Sequence, residues 1–428
     1  MGSFGGDLFA VFKSRITVII CGLLTSIITA RYLGATGSGI VAALTVYPDL
    51  FMVVGSLGIR QSTAYFVGQN KFEEAEIFSA LFRLWVFSSI FCIIVCYILL
   101  NYNPKGEYGN SLILLAILPI PFSLFSTYSS GVFLGKNRIK DFNSVNWIPN
   151  VIKLIVYLLF IVILPWDVFG AMLGIVLGYV GLSFFVWKKM SPMIAFPLRN
   201  KSDVIYKMLR LGIVYALALF VISLNYKINI IMLEQLSSRD QIGIYAKGVS
   251  IVEYLWEVPT LLSTIVFARS ASSTDPLGFS KKVAQLLRIC FIVVSLMSIA
   301  FFFLSTFIMV TMYGEEFRES SMVQKILLPG ILLMTIFKVL NMDLAGKGKP
   351  WIAMLTISPA LLINIILNWI WDAKYGANGA AMASTISYSI SAVLFLFVYA
   401  KQVNIPLREI VFFNKADFDF IKKFKLSK

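Results

Sequence analysis

The chain contains no histidine, so the commonest metal ligand and the side chain that titrates nearest neutrality are both missing. Ser-His-Asp and Cys-His nucleophile systems are excluded with it, and any proton coupling must use carboxylates. Cysteine is scarce: Cys21, Cys92, Cys96 and Cys290 all fall in apolar segments without metal-ligand spacing, which reads as small core residues. No stretch matches the phosphate-cradling Walker pattern, so the chain does not hydrolyse ATP itself. Charged residues are only 14% of the total, against about 25% in soluble domains. No large outer loop is left to carry the acidic or Arg-rich centre of a membrane glycosyltransferase or polymerase. An enzyme is therefore not expected, and neither is a cofactor or a metal.

Hydrophobic residues fill the space, at 58% of the chain. Apolar segments near the ~20 residues needed to cross a bilayer recur throughout. They fall at 8–30, 40–60, 79–100, 111–134, 147–165, 168–187, 211–233, 242–267, 289–312, 322–345, 351–371 and 377–400. The expected fold is all-α, a polytopic membrane protein with about 12 transmembrane helices. The first segment starts close to Met1 without a small-residue cleavage site, so it reads as a span and not as a removed signal peptide.

With the N-terminus placed in the cytoplasm, Lys and Arg outside the membrane gather on the inner side; outer loops hold only Arg31, Lys105, Arg239, Arg318 and Lys374. That bias puts both termini in the cytoplasm. It also explains most of the +15 net charge without nucleic acid as a partner. The basic tail, with Lys422, Lys423 and Lys425, reads as attracted to anionic membrane lipid.

The chain is also written twice. The segment from Tyr32 through Gly39-Ile-Val-Ala42 returns as Leu236 through Gly243-Ile-Tyr-Ala246, and this register sets Asp49 on Glu253. Gly135-Lys136 matches Gly346-Lys347, Gly170-Ala171 matches Gly379-Ala380, and Pro149 matches Pro359. Two parallel repeats are how many transporters build a central cavity. The expected organisation is a six-helix bundle over 1–195, a polar cytoplasmic linker over 196–210, a second bundle over 211–400 and a basic tail over 401–428.

Ionisable residues inside spans cost about 2.5–3.5 kcal/mol each at a helix centre by insertion scales, unless they face protein or water. Lys325, near an outer helix end, and Asp343, near an inner one, have structural explanations. Deeper lie Lys227, flanked by Asn225 and Asn229 on one helix face, and Lys247, Lys338 and Lys153. Arg15 and Arg60 add charge from the first half. A cluster of cations suits an anionic ligand, with phosphate the obvious group; the alternative is pairing with acids to hold the halves together. Asp49, Glu253 and Glu257 are candidates for binding a coupling H+ or Na+, and Glu253 and Glu257, four residues apart, should share a helical face. Trp147, Trp166, Trp256, Trp351, Trp369 and Trp371 read by default as an interfacial belt. No sugar platform is read from the Phe-rich aromatic content.

Ala30-Arg31-Tyr-Leu-Gly34 followed by Gly37-Ser-Gly39-Ile, the Gly55-Ser-Leu-Gly58 end of span two, and Gly131-Val-Phe-Leu-Gly-Lys136 form an ordered set. Ile242-Gly-Ile-Tyr-Ala246 and Gly346-Lys-Gly-Lys349-Pro-Trp351 continue it in the second half. In order and spacing these resemble the polysaccharide flippases, the Wzx-like branch of the multidrug/oligosaccharidyl-lipid/polysaccharide (MOP) exporter superfamily. Each motif alone is degenerate. The resemblance implies two six-helix bundles around a cationic central cavity, as in the multidrug-and-toxin-extrusion (MATE) branch, that alternates between inward- and outward-open states. It implies transfer of a polyprenyl-diphosphate-linked oligosaccharide repeat unit to the outer leaflet, for O-antigen, capsule or exopolysaccharide. The membrane would be a bacterial inner (plasma) membrane, with a polysaccharide polymerase and glycosyltransferases as candidate partners. No invariant residue is carried over. A drug or metabolite antiporter of the MATE branch and a membrane enzyme of glycan assembly stay open as alternatives.

Overall fold

The computed structural model describes residues 4–69, 72–103, 108–136, 138–193 and 202–413, and all regular structure among them is helical. The expected linker falls outside the described residues up to position 201, as does the tail beyond 413 with Lys422, Lys423 and Lys425. Ten helices among the described residues are long and apolar enough to cross a membrane. Two features account for ten where twelve spans are expected. Spans one and two run together as α1 (Phe4–Gly55), bent at Gly34 with φ 66° and continued by α2 (Ile59–Gly68). Span eight is broken into α9 (Arg239–Val252), a 3₁₀ turn (Glu253–Trp256) and α10 (Glu257–Ser272).

The remaining elements are α3 (Glu74–Asn101), α4 (Asn110–Ile117), α5 (Pro119–Gly135), α6 (Ile139–Tyr157, ending in a π stretch to Ile163), α7 (Asp167–Met190) and α8 (Ser202–Leu236). They continue as α11 (Pro276–Tyr313), α12 (Ser320–Gly346), α13 (Trp351–Val403) and the short α14 (Leu407–Val411). α13 joins spans eleven and twelve through a bend at Gly376, φ 53°. At both bends the backbone is in the left-handed region that glycine enters without a Cβ penalty.

Polarity is inverted relative to a soluble protein. Phe87, Phe184, Phe303 and Phe307 stand exposed on the outside of the helices, while Asn225, Asn229, Asn364, Asn368, Asp343 and Asp372 are fully buried. Apolar surface facing outward and hydrogen-bonding groups facing inward is the arrangement a bilayer demands. This is a multi-pass membrane protein.

Contacts divide the chain into two units, one of residues up to Ser223 plus Ser238–Gly243, the other of Leu224–Ser237 and Ile244 onward. The division falls inside α8. The start of α8 packs with the first unit so closely that a Cβ on Gly212 would lie 2.3 Å from the Leu57 carbonyl oxygen. In the first unit Ile59, Tyr128, Val132, Phe133, Leu182 and Met208 belong to one apolar core, and Cys92 and Cys96 to another. The Tyr128 hydroxyl, buried between them, donates to the Gly55 carbonyl at 2.7 Å, where α1 ends.

The sequence repeat is visible in the packing. A Cβ on Gly39 would meet the Arg239 carbonyl oxygen at 2.0 Å, and one on Gly243 would meet the Ala35 carbonyl oxygen at 2.0 Å. The two matched glycines thus pack reciprocally, and the Thr36 hydroxyl donates to Asp240 beside them. Gly170 and Gly379 do equivalent work within their own units, each placing a virtual Cβ 2.6 Å from a carbonyl oxygen, of Phe160 and Trp371 respectively. Lys136 pairs with Glu74 at the start of α3 (2.7 Å), and its match Lys347 reaches the start of α11, where Pro276 O accepts at 3.3 Å and Ser280 also bonds.

Candidate functional site

In the first unit α1 carries Arg15 and Asp49, α2 carries Arg60, and α6 carries Lys153; all four are half-buried. Lys153 lies within electrostatic reach of Asp49 and Cys21. Asp49 also acts on Tyr179 of α7, whose hydroxyl is hydrogen-bonded to Ser123. The Arg60 guanidinium carbon stands 6.0 Å from the Phe142 ring centre, and its buried Nε has no hydrogen-bond partner among the described residues. Thus Asp49 and Lys153, distant in sequence, belong to one charge cluster, and Arg60 sits over an aromatic ring of α6.

The second unit holds the denser set. Glu253 opens the 3₁₀ turn of span eight, and both Lys338 of α12 and Lys227 of α8 act on its carboxylate, Lys338 the more strongly. Glu253 and Glu257, expected on one α-helical face, are joined by a 3₁₀ turn of about three residues per turn, so the four-residue α-helical spacing does not apply between them. Lys247 is buried, its ammonium 5.4 Å from the Tyr313 ring centre. Trp256, expected in the interfacial belt, is instead buried, and its indole N–H donates to Ile331 O at 3.0 Å. Lys325, expected to snorkel, has its ammonium 5.7 Å from the Phe302 ring centre.

Asn225 and Asn229 are fully buried in a polar ladder with α13. Asn364 Nδ2 donates to Asn225 O at 3.3 Å, Asn368 Nδ2 to Asn229 Oδ1 at 3.0 Å, and the Ser387 hydroxyl to Asn225 Oδ1 at 2.8 Å. The ladder ends at Asp372, which lies just past the apolar segment 351–371 yet is fully buried one turn beyond Asn368. Neither Asp372 oxygen has a hydrogen-bond partner among the described residues, and Asn368 Oδ1 is unpartnered as well. Tyr245, hydrogen-bonded to Ser384 at 2.9 Å, lies within electrostatic reach of Asp372. Asn364, Asn368 and Asp372 sit four residues apart on one helical face, a spacing legible in the sequence once α13 is known to continue past Asp372.

Asp343 is as buried as Asp372 and entirely different. It accepts from Ser270 (2.6 Å), Ser280 (2.7 Å), Tyr399 (2.8 Å) and Lys347 (2.9 Å), tying α10, α11, α12 and α13 together. Oδ1 accepts from one donor and Oδ2 from three, so both carboxylate oxygens are satisfied, which marks a structural hub. Among the described residues no three Cys, Asp, Glu or His side chains converge as a metal centre requires. The chemistry on offer is cations for an anionic ligand, and single carboxylates for a proton or monovalent ion.

A family model described as polysaccharide biosynthesis protein matches residues 7–268. The chain belongs to this family. An uncharacterized membrane protein of Methanocaldococcus jannaschii is 25% identical over 385 residues, covering 86% of this chain and 90% of that protein. A probable low-salt glycan biosynthesis flippase of Haloferax volcanii is 28% identical over 101 residues, 24% of this chain and 21% of that one. Among solved structures, the lipid II flippase MurJ in an inward closed conformation superposes with a TM-score of 0.75 at 16% identity, covering 94% of this chain and 88% of MurJ. An inward-facing MATE-family multidrug resistance transporter of the MOP superfamily gives 0.71 at 12% identity, covering 90% and 94%. The fold is the MOP fold, and the resemblance to Wzx-like polysaccharide flippases holds.

Proposed function

We propose that this protein moves a polyprenyl-diphosphate-linked oligosaccharide repeat unit from the cytoplasmic to the outer leaflet by alternating access, supplying surface polysaccharide such as O-antigen, capsule or exopolysaccharide. The observation that carries this reading is the family match across residues 7–268. The deep cations supply its chemistry. Arg15 and Arg60 of the first unit and Lys227 and Lys247 of the second are the residues assigned to the diphosphate as it crosses, since guanidinium and ammonium groups in a low-dielectric interior hold phosphate oxygens strongly. Lys153, Lys338, Asn225 and Asn229 are assigned supporting roles, on the strength of the contacts described above.

Asp49, Glu253 and Glu257 are assigned to coupling, and Asp372 joins them. A buried carboxylate with no donor favours binding a proton or a small cation, and the nearby unpartnered Asn368 oxygen adds a neutral acceptor. Binding of H+ or Na+ there would neutralise the charge during one half of the cycle. The protein is placed in the plasma membrane with both termini cytoplasmic. The resemblance implies a bacterial inner (plasma) membrane, and the mechanism needs only that membrane. A polysaccharide polymerase and glycosyltransferases remain the partners this role would bring.

Cells lacking the gene test this. The lipid-linked repeat unit should accumulate with its glycan facing the cytoplasm, and the intact chain should relieve the accumulation. A Lys227→Glu, Lys247→Glu version should not, because reversing two charges turns attraction for diphosphate into repulsion. Unaltered export by that double variant would remove the cation assignment. A small-molecule antiporter, which shares the fold, would instead show normal surface glycan and altered drug sensitivity.

A further inference from the structure

Three aromatic rings of the second unit meet in a triangle. Tyr226 of α8, Trp256 of the 3₁₀ turn and Tyr388 of α13 have centroid separations of 5.3, 5.6 and 5.7 Å. Trp256 is pinned by its hydrogen bond to Ile331 O, and Tyr388 is buried at 2% exposure. Lys338 reaches in from α12, its Nζ 4.1 Å from the Trp256 centroid and 5.0 Å from that of Tyr226. Both distances are within the ~6 Å over which a ring quadrupole attracts a cation. The Glu253 carboxylate opens the same turn as Trp256 and interacts electrostatically with Lys338.

Rings with an adjoining carboxylate are the chemistry that recognises quaternary ammonium and other organic cations. Here a cation is supplied by the chain itself. We infer that Lys338 is the built-in occupant of an organic-cation site formed by Trp256, Tyr226 and Glu253, and that it determines specificity by barring cationic small molecules from that site. A tethered ammonium competes at the effective concentration its short linker sets, on the order of millimolar, so a free cation must displace it. Tyr226, Glu253 and Lys338 are each half-buried, so the site is not sealed from a small ligand. The inference goes beyond the flippase reading and does not need the glycan to be the cargo. It assigns one side chain the job of keeping organic cations out of that site.

The test uses purified full-length protein and tetramethylammonium as the probe, with binding followed by equilibrium dialysis. Lys338→Met keeps side-chain length and removes the charge, and it should bind the probe about tenfold more tightly than the wild type. Adding Trp256→Ala to that variant should abolish the gain, whereas Lys338→Arg, which leaves a cation at the rings, should behave as the wild type. Should Lys338→Met unfold, Lys338→Gln is the substitute, with the thermal midpoint as the criterion of folding. Equal affinity in wild type and folded variant, or a gain that survives loss of Trp256, would overturn the inference. No glycan is present in the assay, so its failure is distinct from failure of the flippase reading.

Discussion

Asp343 and Asp372 lie in the same unit, on α12 and α13, and both are completely buried, yet one has four hydrogen-bond or ion-pair partners and the other none among the described residues. Burial alone therefore says little about a carboxylate's job. Asp343 is surrounded by two serine hydroxyls, a tyrosine hydroxyl and an ammonium that its helices bring together, so its charge is absorbed by the fold. Asp372 ends a ladder in which the Asn364 and Asn368 amides donate to Asn225, Asn229 and Asn364 and not to it, so its charge is left for something that comes and goes. A fold keeps the first kind for cohesion; the second is expensive to retain without a role.

The largest effect is expected of Asp343→Ala. Removing the acceptor leaves Lys347 and three hydroxyls facing an apolar gap, and loss of one partner of a buried pair costs about 3–5 kcal/mol. The thermal midpoint in detergent should fall by many degrees; an unchanged midpoint would make the hub dispensable. Asp372→Asn should act oppositely. The unfolding midpoint should not fall, since an uncompensated buried charge is being removed, while the dependence of transport on Na+ or on pH should disappear in reconstituted vesicles. A strong loss of stability there would return Asp372 to a structural role.

The smallest effect belongs to an exposed carboxylate, Glu315, which sits outside the spans in a 3₁₀ turn. A hydrogen bond and ion pair with Arg318 hold its carboxyl below the usual carboxylate range. A depressed carboxylate contributes stability above its unfolded value and loses it as pH falls through the folded one. Full exposure screens that contribution. Glu315→Gln should leave the midpoint unchanged at pH 7 and in mild acid, which gives the baseline against which the two buried aspartates are compared.

Much of the fold was legible in the residues. Apolar length located the spans, and the matched Gly39 and Gly243 mark positions where backbones touch reciprocally. Lys136 and Lys347 likewise proved equivalent, each tying the end of one span to the start of the preceding span. The site was less legible. Hydropathy ends span eleven before Asp372, because Asp372 and Lys374 look like loop residues; only the bend at Gly376 shows that the helix carries on and takes the aspartate inside. Span eight reads as one helix, since nothing in its composition announces the 3₁₀ turn at Glu253 or the burial of Trp256 within it. Which neighbours a deep charge meets depends on helices far away in sequence, as Asp49 with Lys153 and Glu253 with Lys338 both illustrate.

The most direct test of flipping itself is a leaflet assay on the purified protein in vesicles. A lipid-linked diphosphate oligosaccharide is incorporated, and a membrane-impermeant reagent that modifies only exposed glycan reports its sidedness over time. Wild-type protein should render the protected glycan accessible, saturably and far faster than empty vesicles, and Lys227→Glu, Lys247→Glu protein should not. Glycan that stays protected with folded wild-type protein present, under imposed Na+ and proton gradients alike, would contradict the flippase reading.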